Sequence, residues 1–417
     1  VDKIVIRGGR KLKGTVKIGG AKNAVLPIMT ACLLSRGVSV IRNVPMLADV
    51  ETMKSVLEGL GARVSQRGRT IRVDTSSVTG DEAPYELVRT MRASVYVLGP
   101  LLASSGRARV SLPGGCAWGP RPVDLHIRAM HELGAKIEID HGYIMAEAGK
   151  LDGSTIRFSM PSVGATANTM MAASRARGRT VIVNAAREPE ITALADFLNR
   201  MGAVVTGAGT ETIEIEGVEN LKPAEVRIIP DRIETGTYMI AGAITAGDVV
   251  IENCIPEHVE AVTRRLRQCG VIVEKARSRI RVKGRRKIDS VDVITSPYPG
   301  FPTDMQAQYM ALMTVARGVC VISETVFRDR FTHVPELRRL GADIKIEGNT
   351  AHVGHVRGLS GAPVMATDLR ASAALVLAGL IADGETHISR VYHIDRGYEA
   401  IEEKLSGLRA QISRVPE

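Results

Sequence analysis

The residues best equipped for chemistry in this sequence lie in one loop and at the starts of several small-residue helices. The loop is Pro113-Gly114-Gly115-Cys116-Ala117-Trp118-Gly119-Pro120-Arg121-Pro122, between a strand expected to end near Leu112 and a helix expected to start near Val123. Three Gly and three Pro in ten positions demand backbone angles that neither helix nor strand supplies. A thiol on such a loop, with Arg121 nearby, can be activated by positive charge. Cys32, Cys254, Cys269 and Cys320 read instead as small buried hydrophobes. On spacing alone, a chemical and a packing role for Cys116 both stand. Five scattered cysteines without a C-x-x-C pair point away from disulfides and zinc. Neither His131-Glu132, which lacks a second His at 135, nor His352 with His355 completes a metal-site spacing, so no metal is expected.

Polar residues gather at six helix starts: Lys22-Asn23, Arg89 to Ser94, Ser162 to Asn168, Asp231 to Thr237, Thr303-Asp304-Met305-Gln306 and Thr367-Asp368-Leu369-Arg370. A helix N-terminus carries free N–H groups and a positive partial charge, so several of them make good anion sites. Thr303, Asp304, Thr367 and Asp368 are equally open to a plain capping role. Lys22, Arg92 and Arg370 are not, because a cation is disfavoured there; an anionic ligand explains them, with an internal salt bridge as the alternative.

The elements that must position these residues come from an internal repeat. Leu60-Gly61-Ala62, Leu133-Gly134-Ala135, Met201-Gly202-Ala203, Cys269-Gly270-Val271, Leu340-Gly341-Ala342 and the degraded Leu408-Arg409-Ala410 recur about every 70 residues. A second marker, Gly37, Gly106, Gly178, Gly247, Gly318 and Gly384, keeps the same period. Within one unit the pattern predicts a strand (15–18), a helix (24–34), a strand (38–43), a helix (49–60) and two short strands (63–66 and 70–73). Each unit therefore reads β-α-β-α-β-β, an α/β (α+β) fold. The first helix of a unit, as in Ala371-Ser372-Ala373-Ala374-Leu375-Val376-Leu377-Ala378, is apolar nearly all round and should be buried. The second is amphipathic, with Met53, Val56, Leu57 and Leu60 on one face, and should pack on a sheet. Six units favour two similar lobes over an open-ended array.

Composition narrows the function. Lys and Arg number 55 against 45 Asp and Glu, a net charge of +10, which favours an anionic partner. Five Phe, eight Tyr and one Trp in 417 residues provide few stacking platforms, which argues against a single-strand nucleic-acid binder and for small phosphorylated ligands. The longest apolar run, from Ala371 to Ala382, falls short of the roughly 20 residues of a membrane span. The chain opens Val1-Asp2-Lys3-Ile4 without an apolar signal region, so a soluble cytoplasmic protein is the expectation.

Gly114-Gly115-Cys116, Gly119 and Arg121-Pro122-Val123-Asp124-Leu125-His126 resemble the active-site loop of the enolpyruvyl transferases that act on UDP-N-acetylglucosamine. Gly19 to Asn23, Thr90 to Ser94, Ser162 to Thr166, Asn184 to Glu190, Pro302 to Gln308, Arg330-Phe331, Ala366 to Ala371 and His393 to Glu399 extend the resemblance over nearly the whole chain. It implies a two-lobed inside-out α/β barrel, with buried helices and outer sheets and three units per lobe. One lobe would hold residues 1–21 and 230–417, carrying the base and Arg396, and the other residues 22–229, carrying the Cys116 loop. Both substrates would bind in the cleft between the lobes.

The implied reaction moves the enolpyruvyl group of phosphoenolpyruvate to the 3-hydroxyl of UDP-N-acetylglucosamine by addition and elimination, releasing phosphate, at the first committed step of peptidoglycan precursor synthesis. By resemblance Cys116 is the acid and can add reversibly to phosphoenolpyruvate, and Asp304 is the candidate base. Lys22, Arg121 and Arg396 surround the phosphate and carboxylate of phosphoenolpyruvate, with Asn23 in the same site. Arg92, Arg121, Pro122, Val123, Asp124, Leu125, Ser162, Val163, Gly164, Asp304 and Val326 surround the UDP-sugar. Arg330, Asp368 and Arg370 support them, with a structural ion-pair network as the alternative. His126 either anchors the loop or is a structural histidine. No cofactor is implied. Trp118 and Met160 depart from the family pattern, where a smaller residue and, in some members, Lys are expected. Three other readings remain: 3-phosphoshikimate 1-carboxyvinyltransferase, which lacks the Gly-Gly-Cys loop; transfer to another nucleotide; and a basic nucleic-acid-binding repeat protein, which predicts steeply salt-dependent affinity.

Overall fold

The recurring Gly of the first marker is where each unit's second helix stops. In the computed structural model, which describes residues 2–88, 91–112, 123–327 and 329–416 and excludes the side chains of Leu87, Val88 and Arg92, Gly61, Gly134, Gly202, Gly270 and Gly341 have φ between +89° and +101°. That left-handed conformation closes a helix most easily when no Cβ is present. At Gly61 the closing bonds run from Gly61 N to Glu58 O (2.9 Å) and from Ala62 N to Leu57 O (3.0 Å). In the degraded sixth copy Arg409 takes the same position at φ +76°. The second marker is also a positive-φ site in five copies. The fourth differs: Ala246 carries the positive φ (+49°), and Gly247 is required by space, since a Cβ there would lie 2.3 Å from the Leu12 carbonyl oxygen.

Contacts divide the chain into two units, Val1–Gly19 with Pro230–Glu417 and Gly20–Ile229. Among the described residues each has three four-stranded sheets and its own core. Within the first, the helices Arg232–Ile244, Gln306–Met313 and Leu369–Gly379 pack on one another and are buried along almost their whole length. Lys22–Ala31, Leu98–Ser105 and Val163–Ala173 form the corresponding set in the other unit. Ala, Gly, Thr and Met fill these helices, which lets their axes approach closely. The sheets lie outside them, with buried and exposed residues alternating along most strands, so each unit is an inside-out α/β barrel. The second helices are amphipathic; Ala48–Gly59 buries Val50, Met53, Val56 and Leu57. The first helix begins two residues before its expected start, so Lys22 and Asn23 lie in its first turn, and residues 32–34 continue it as a 3-10 turn.

One sheet shows the common order: Thr155–Arg157, Arg179–Val183, Thr212–Glu216, Val204–Thr206, with the first pair parallel and the others antiparallel. The chain departs from this order where it passes between units. Lys13–Lys17 precedes the helix Lys22–Ala31 in sequence but pairs in parallel with Asp248–Glu252. Glu225–Arg227 precedes Arg232–Ile244 but pairs in parallel with Val38–Arg42. The repeat read around residues 15–73 is therefore continuous in sequence and split between two sheets. The sixth repeat has only one strand after its second helix, and Asp2–Arg7 supplies the other, antiparallel to both Glu385–Ser389 and Gln411–Pro416. Gly379 makes room for it: a Cβ there would lie 3.2 Å from Ile6 Cδ1. No helix among the described residues is long and apolar enough to cross a membrane.

Because Asp2–Arg7 is a central strand with Ile6 fully buried, Ile6→Ala should lower the unfolding free energy by about 2–5 kcal/mol. The exposed Arg7→Ala should change it by no more than about 0.5 kcal/mol. Urea unfolding of both variants is the measurement; equal effects would deny the N-terminal strand its place in the core.

Candidate functional site

In the unit formed by Val1–Gly19 and Pro230–Glu417, one carboxylate organises the polar residues at the helix starts. Asp304 lies in the 3-10 turn Thr303–Met305 that leads into the helix Gln306–Met313. It does not cap that helix. Its Oδ1 is 2.7 Å from Arg330 Nη2 and its Oδ2 is 2.7 Å from Arg370 Nη2. Both arginine side chains are 7% exposed, whereas that of Asp304 is 24% exposed. Burial opposes the charge on Asp304, but the guanidiniums of Arg370 and Arg330 outweigh it and hold the carboxyl well below the usual carboxylate range.

Arg370 occupies the first turn of Leu369–Gly379, where the helix dipole disfavours a cation, and the pair with Asp304 offsets this. Its Nη1 also reaches Tyr398 Oη at 3.4 Å. Tyr398 Oη in turn meets Thr237 Oγ1 (2.8 Å) and accepts from Gln308 Nε2 (3.2 Å). Thr237, Gln308 and Arg370 come from the three buried helices of this unit, so their starts are joined through one phenol. Asp368 is a true N-cap, accepting from the backbone N–H groups of Arg370 (2.8 Å) and Ala371 (3.1 Å). Its other oxygen accepts from Thr332 Oγ1 at 3.1 Å. Arg396 ends the 3-10 turn Val391–Arg396 and is half-buried, and Val326 lies in the turn after the strand Val319–Ser323.

In the unit Gly20–Ile229, Lys22 Nζ lies 2.6 Å from Asp49 Oδ2, a carboxylate that is 3% exposed. Asn23 beside it is half-buried. Ser162 caps the helix Val163–Ala173 by accepting from Ala165 N (3.3 Å), with Val163 and Gly164 in the first turn. Gly164 is needed there because a Cβ would lie 2.9 Å from His126 Nε2. His126 is buried, and its Nδ1 meets Asn168 Nδ2 at 3.0 Å. Asn168 also bonds Gly99 N and Val95 O, both at 2.8 Å. The structure thus favours the structural reading of His126. Val123, buried, precedes the helix Asp124–Glu132, where Asp124 is exposed and Leu125 half-buried. Cys116, Arg121, Pro122 and Trp118 lie outside the described residues, as do Arg89, Thr90 and the side chain of Arg92. The other four cysteines are buried and unpaired, and burial pushes Cys32 to about 12 and Cys254 to about 11, which makes both poor nucleophiles at neutral pH.

The structure brings together Asp304, Arg330 and Arg370, and in the other unit Lys22 and Asp49. Asp49 and a further acid, Glu324, whose carboxylate accepts from the Thr303 hydroxyl (2.8 Å), escaped sequence reading. Asp49 reads as an ordinary first-turn acid of an amphipathic helix, and Glu324 as a lone acid at a strand end. Glu324 is fully buried.

A family model described as EPSP synthase (3-phosphoshikimate 1-carboxyvinyltransferase) matches residues 6–405. Curated relatives named UDP-N-acetylglucosamine 1-carboxyvinyltransferase are 57% identical over 417 residues in Geobacter metallireducens and 58% identical over 415 residues in Desulfosudis oleivorans, covering all of both chains in each case. Among solved structures, the enolpyruvyl transferase NikO from Streptomyces tendae superposes with a TM-score of 0.90 at 26% identity, over 99% of each chain. An EPSP synthase from Acinetobacter baumannii shares the fold, with a TM-score of 0.76 at 18% identity over the whole of both chains.

His333, fully buried before the helix Val334–Arg339, has no hydrogen-bond partner on either ring nitrogen among the described residues. Burial lowers it from 6.5 to about 4, with Arg330 adding to the effect and Asp368 opposing it. The folded chain then binds fewer protons here than the unfolded chain between these values, so stability is complete above about pH 6.5 and is lost as pH falls toward 4. At most on the order of 3 kcal/mol is at stake. His333→Leu should keep its stability at pH 7 and flatten the decline between pH 6.5 and 4, read by urea unfolding across that range; an unchanged slope would refute the assignment.

Proposed function

The chain belongs to the enolpyruvyl transferase family, and from that premise we propose that it transfers the enolpyruvyl group of phosphoenolpyruvate to the 3-hydroxyl of UDP-N-acetylglucosamine, releasing phosphate. The observation that carries this reading is 57–58% identity, end to end, with relatives bearing the name of that activity. The name of the family model points to a shikimate acceptor instead, but the solved EPSP synthase is only 18% identical, and the Gly-Gly-Cys loop at 114–116 sets this chain apart from that branch. The reading places the chain at the first committed step of peptidoglycan precursor synthesis, in the cytoplasm, with two small anionic substrates rather than nucleic acid as its partners.

The chemistry needs a proton donor, a proton acceptor and several cations. In the addition step the sugar oxygen bonds to carbon 2 of phosphoenolpyruvate, carbon 3 gains a proton, and the hydroxyl proton is removed. Elimination then expels phosphate from carbon 2 and returns a proton from carbon 3. Cys116 is assigned the proton delivery to carbon 3, and Lys22, Asn23, Arg121 and Arg396 the phosphate and carboxylate of the donor. Asp304 is assigned the sugar hydroxyl. A carboxylate held by two arginines is a weak base, yet a weak base suffices: the hydroxyl becomes strongly acidic as its oxygen bonds to carbon 2, so the proton leaves with the attack rather than before it. Two cations on one anion also leave a net positive charge, suited to an anionic donor. Arg92, Pro122 to Leu125, Ser162 to Gly164 and Val326 are assigned to the UDP-sugar, where arginine forks and a capped helix start suit a diphosphate.

Phosphate release from phosphoenolpyruvate should require UDP-N-acetylglucosamine, and Asp304→Ala should reduce it by at least about a hundredfold while the variant remains folded. Release that ignores the sugar nucleotide would overturn the acceptor assignment, and a near-normal Asp304→Ala would overturn the base. An epoxide phosphonate should label Cys116 in the presence of the sugar nucleotide, read by mass spectrometry of peptides; label on another cysteine, or on none, would remove Cys116 from the mechanism.

A further inference from the structure

Glu324 follows the strand Val319–Ser323 and is fully buried. Its backbone is pinned to a neighbouring loop by bonds from Glu324 N to Asn349 O (2.8 Å) and from Asn349 Nδ2 to Glu324 O (3.1 Å). Four donors meet its carboxylate. Oε1 accepts from Thr295 Oγ1 (2.8 Å), Val326 N (2.8 Å) and Phe327 N (3.0 Å), and Oε2 accepts from Thr303 Oγ1 (2.8 Å). A buried carboxylate so fully satisfied is costly to assemble and must order what surrounds it.

The bond to Thr303 has a direction. A hydroxyl carries one proton, and a carboxylate only accepts, so Thr303 must give its proton to Glu324. The lone pairs of Thr303 Oγ1 are then left for Arg330, whose Nη1 donates to it at 2.9 Å. Arg330 Nη2 reaches Asp304 Oδ1 at 2.7 Å. Glu324, Thr303, Arg330 and Asp304 thus form one directed chain, while the Val326 and Phe327 amides fix the neighbouring turn to the same carboxylate. Since Thr303 directly precedes Asp304, this one side chain holds both the backbone that carries Asp304 and the guanidinium that restrains it.

We propose that Glu324 is a positioning residue for the transfer reaction, acting through the Thr303 hydroxyl to orient Arg330 against Asp304 and through the amides of 326 and 327 to set the turn that carries Val326. The proposal rests on the reading of the chain as an enolpyruvyl transferase with Asp304 at the sugar hydroxyl. Glu324→Gln keeps the shape. The four donors cannot all be met by one amide oxygen, however, and the amide NH₂ facing Thr303 would reverse the polarity of that bond. Thr303→Val removes the relay without touching Glu324.

The experiment compares sugar-dependent phosphate release by wild type, Glu324→Gln, Thr303→Val, Thr303→Ser and the double variant Glu324→Gln/Thr303→Val, with thermal unfolding of each. Expected are kcat losses of about 10- to 100-fold for Glu324→Gln and Thr303→Val, the span of one lost hydrogen bond to a charged group, with the KM for the sugar nucleotide within about threefold. The double variant should be no slower than about threefold below the worse single one, because both break the same chain. Thr303→Ser, which keeps the hydroxyl, should restore most of the turnover lost in Thr303→Val. Folded Thr303→Val with kcat within about twofold of wild type, or losses that multiply in the double variant, would overturn the proposal. If Glu324→Gln fails to fold, the Thr303 pair decides alone. Wild-type release that needs both substrates keeps the two ideas separable: without it the functional reading falls, and with it the variants judge Glu324 only.

Discussion

Two guanidiniums on one carboxylate set the conditions for the rest of the polar network in the Asp304 unit. Arg330 and Arg370 each sit at 7% side-chain exposure, where an uncompensated charge is costly. Asp304 compensates both, one oxygen to each, and Arg330 Nη1 also donates to Thr303 and Arg370 Nη1 to Tyr398. Removing the carboxylate would leave two facing cations. Asp304, at a helix start and of a type suited to capping, therefore turns its carboxylate to the two guanidiniums rather than to the helix amides. Asp368, in the corresponding place on the third helix, has no such commitment on Oδ1 and does cap.

The repeat makes that arrangement possible. Three buried helices packed side by side bring three N-terminal turns to one place, and Thr237, Gln308 and Arg370 meet there around Tyr398. In the other unit Asn168 plays a comparable part, tying its own helix to Gly99 of the helix Leu98–Ser105, to Val95 in the 3-10 turn before it and to His126. Helices made of Ala, Gly, Thr and Met pack closely enough for side chains as short as Thr and Asn to bridge them. The scarcity of aromatic residues and the density of polar bonds at the helix starts therefore have the same cause.

Much of the fold was legible in the sequence because its markers are local. Gly61 and its counterparts stop helices through their own backbone angles, and the near-uniform apolarity of residues 371–382 requires burial whatever surrounds it. What was not legible depends on distant parts of the chain. Nothing in Lys13–Lys17 says that it pairs with Asp248–Glu252 rather than with the strand that follows its own helix, and nothing in Asp2–Arg7 says that it completes a sheet begun some 380 residues later. In the site, residue types at helix starts marked Lys22 and the pair Asp304 and Arg370, but not the partner of Lys22. Asp49 belongs to the next helix and looks ordinary in its local context, and Arg330, in a loop, was marked only by the resemblance.

Asp304 and Glu324 show how one fold gives two carboxylates different work. Both touch the Thr303-Arg330 pair, yet Asp304 is balanced by cations and partly exposed, whereas Glu324 is balanced by neutral donors and fully buried. A group balanced by charge retains lone pairs for a newcomer, and its exposure gives the newcomer access. A group whose oxygens are filled by two hydroxyls and two amides has neither. The difference follows from the backbone: Glu324 sits at a strand end where the amides of Val326 and Phe327 turn back onto its own side chain, while Asp304 sits on a turn whose amides lead into a helix. Access and rigidity are therefore divided between two neighbouring acids: the partly exposed one is open to a further partner, while the buried one keeps its frame fixed.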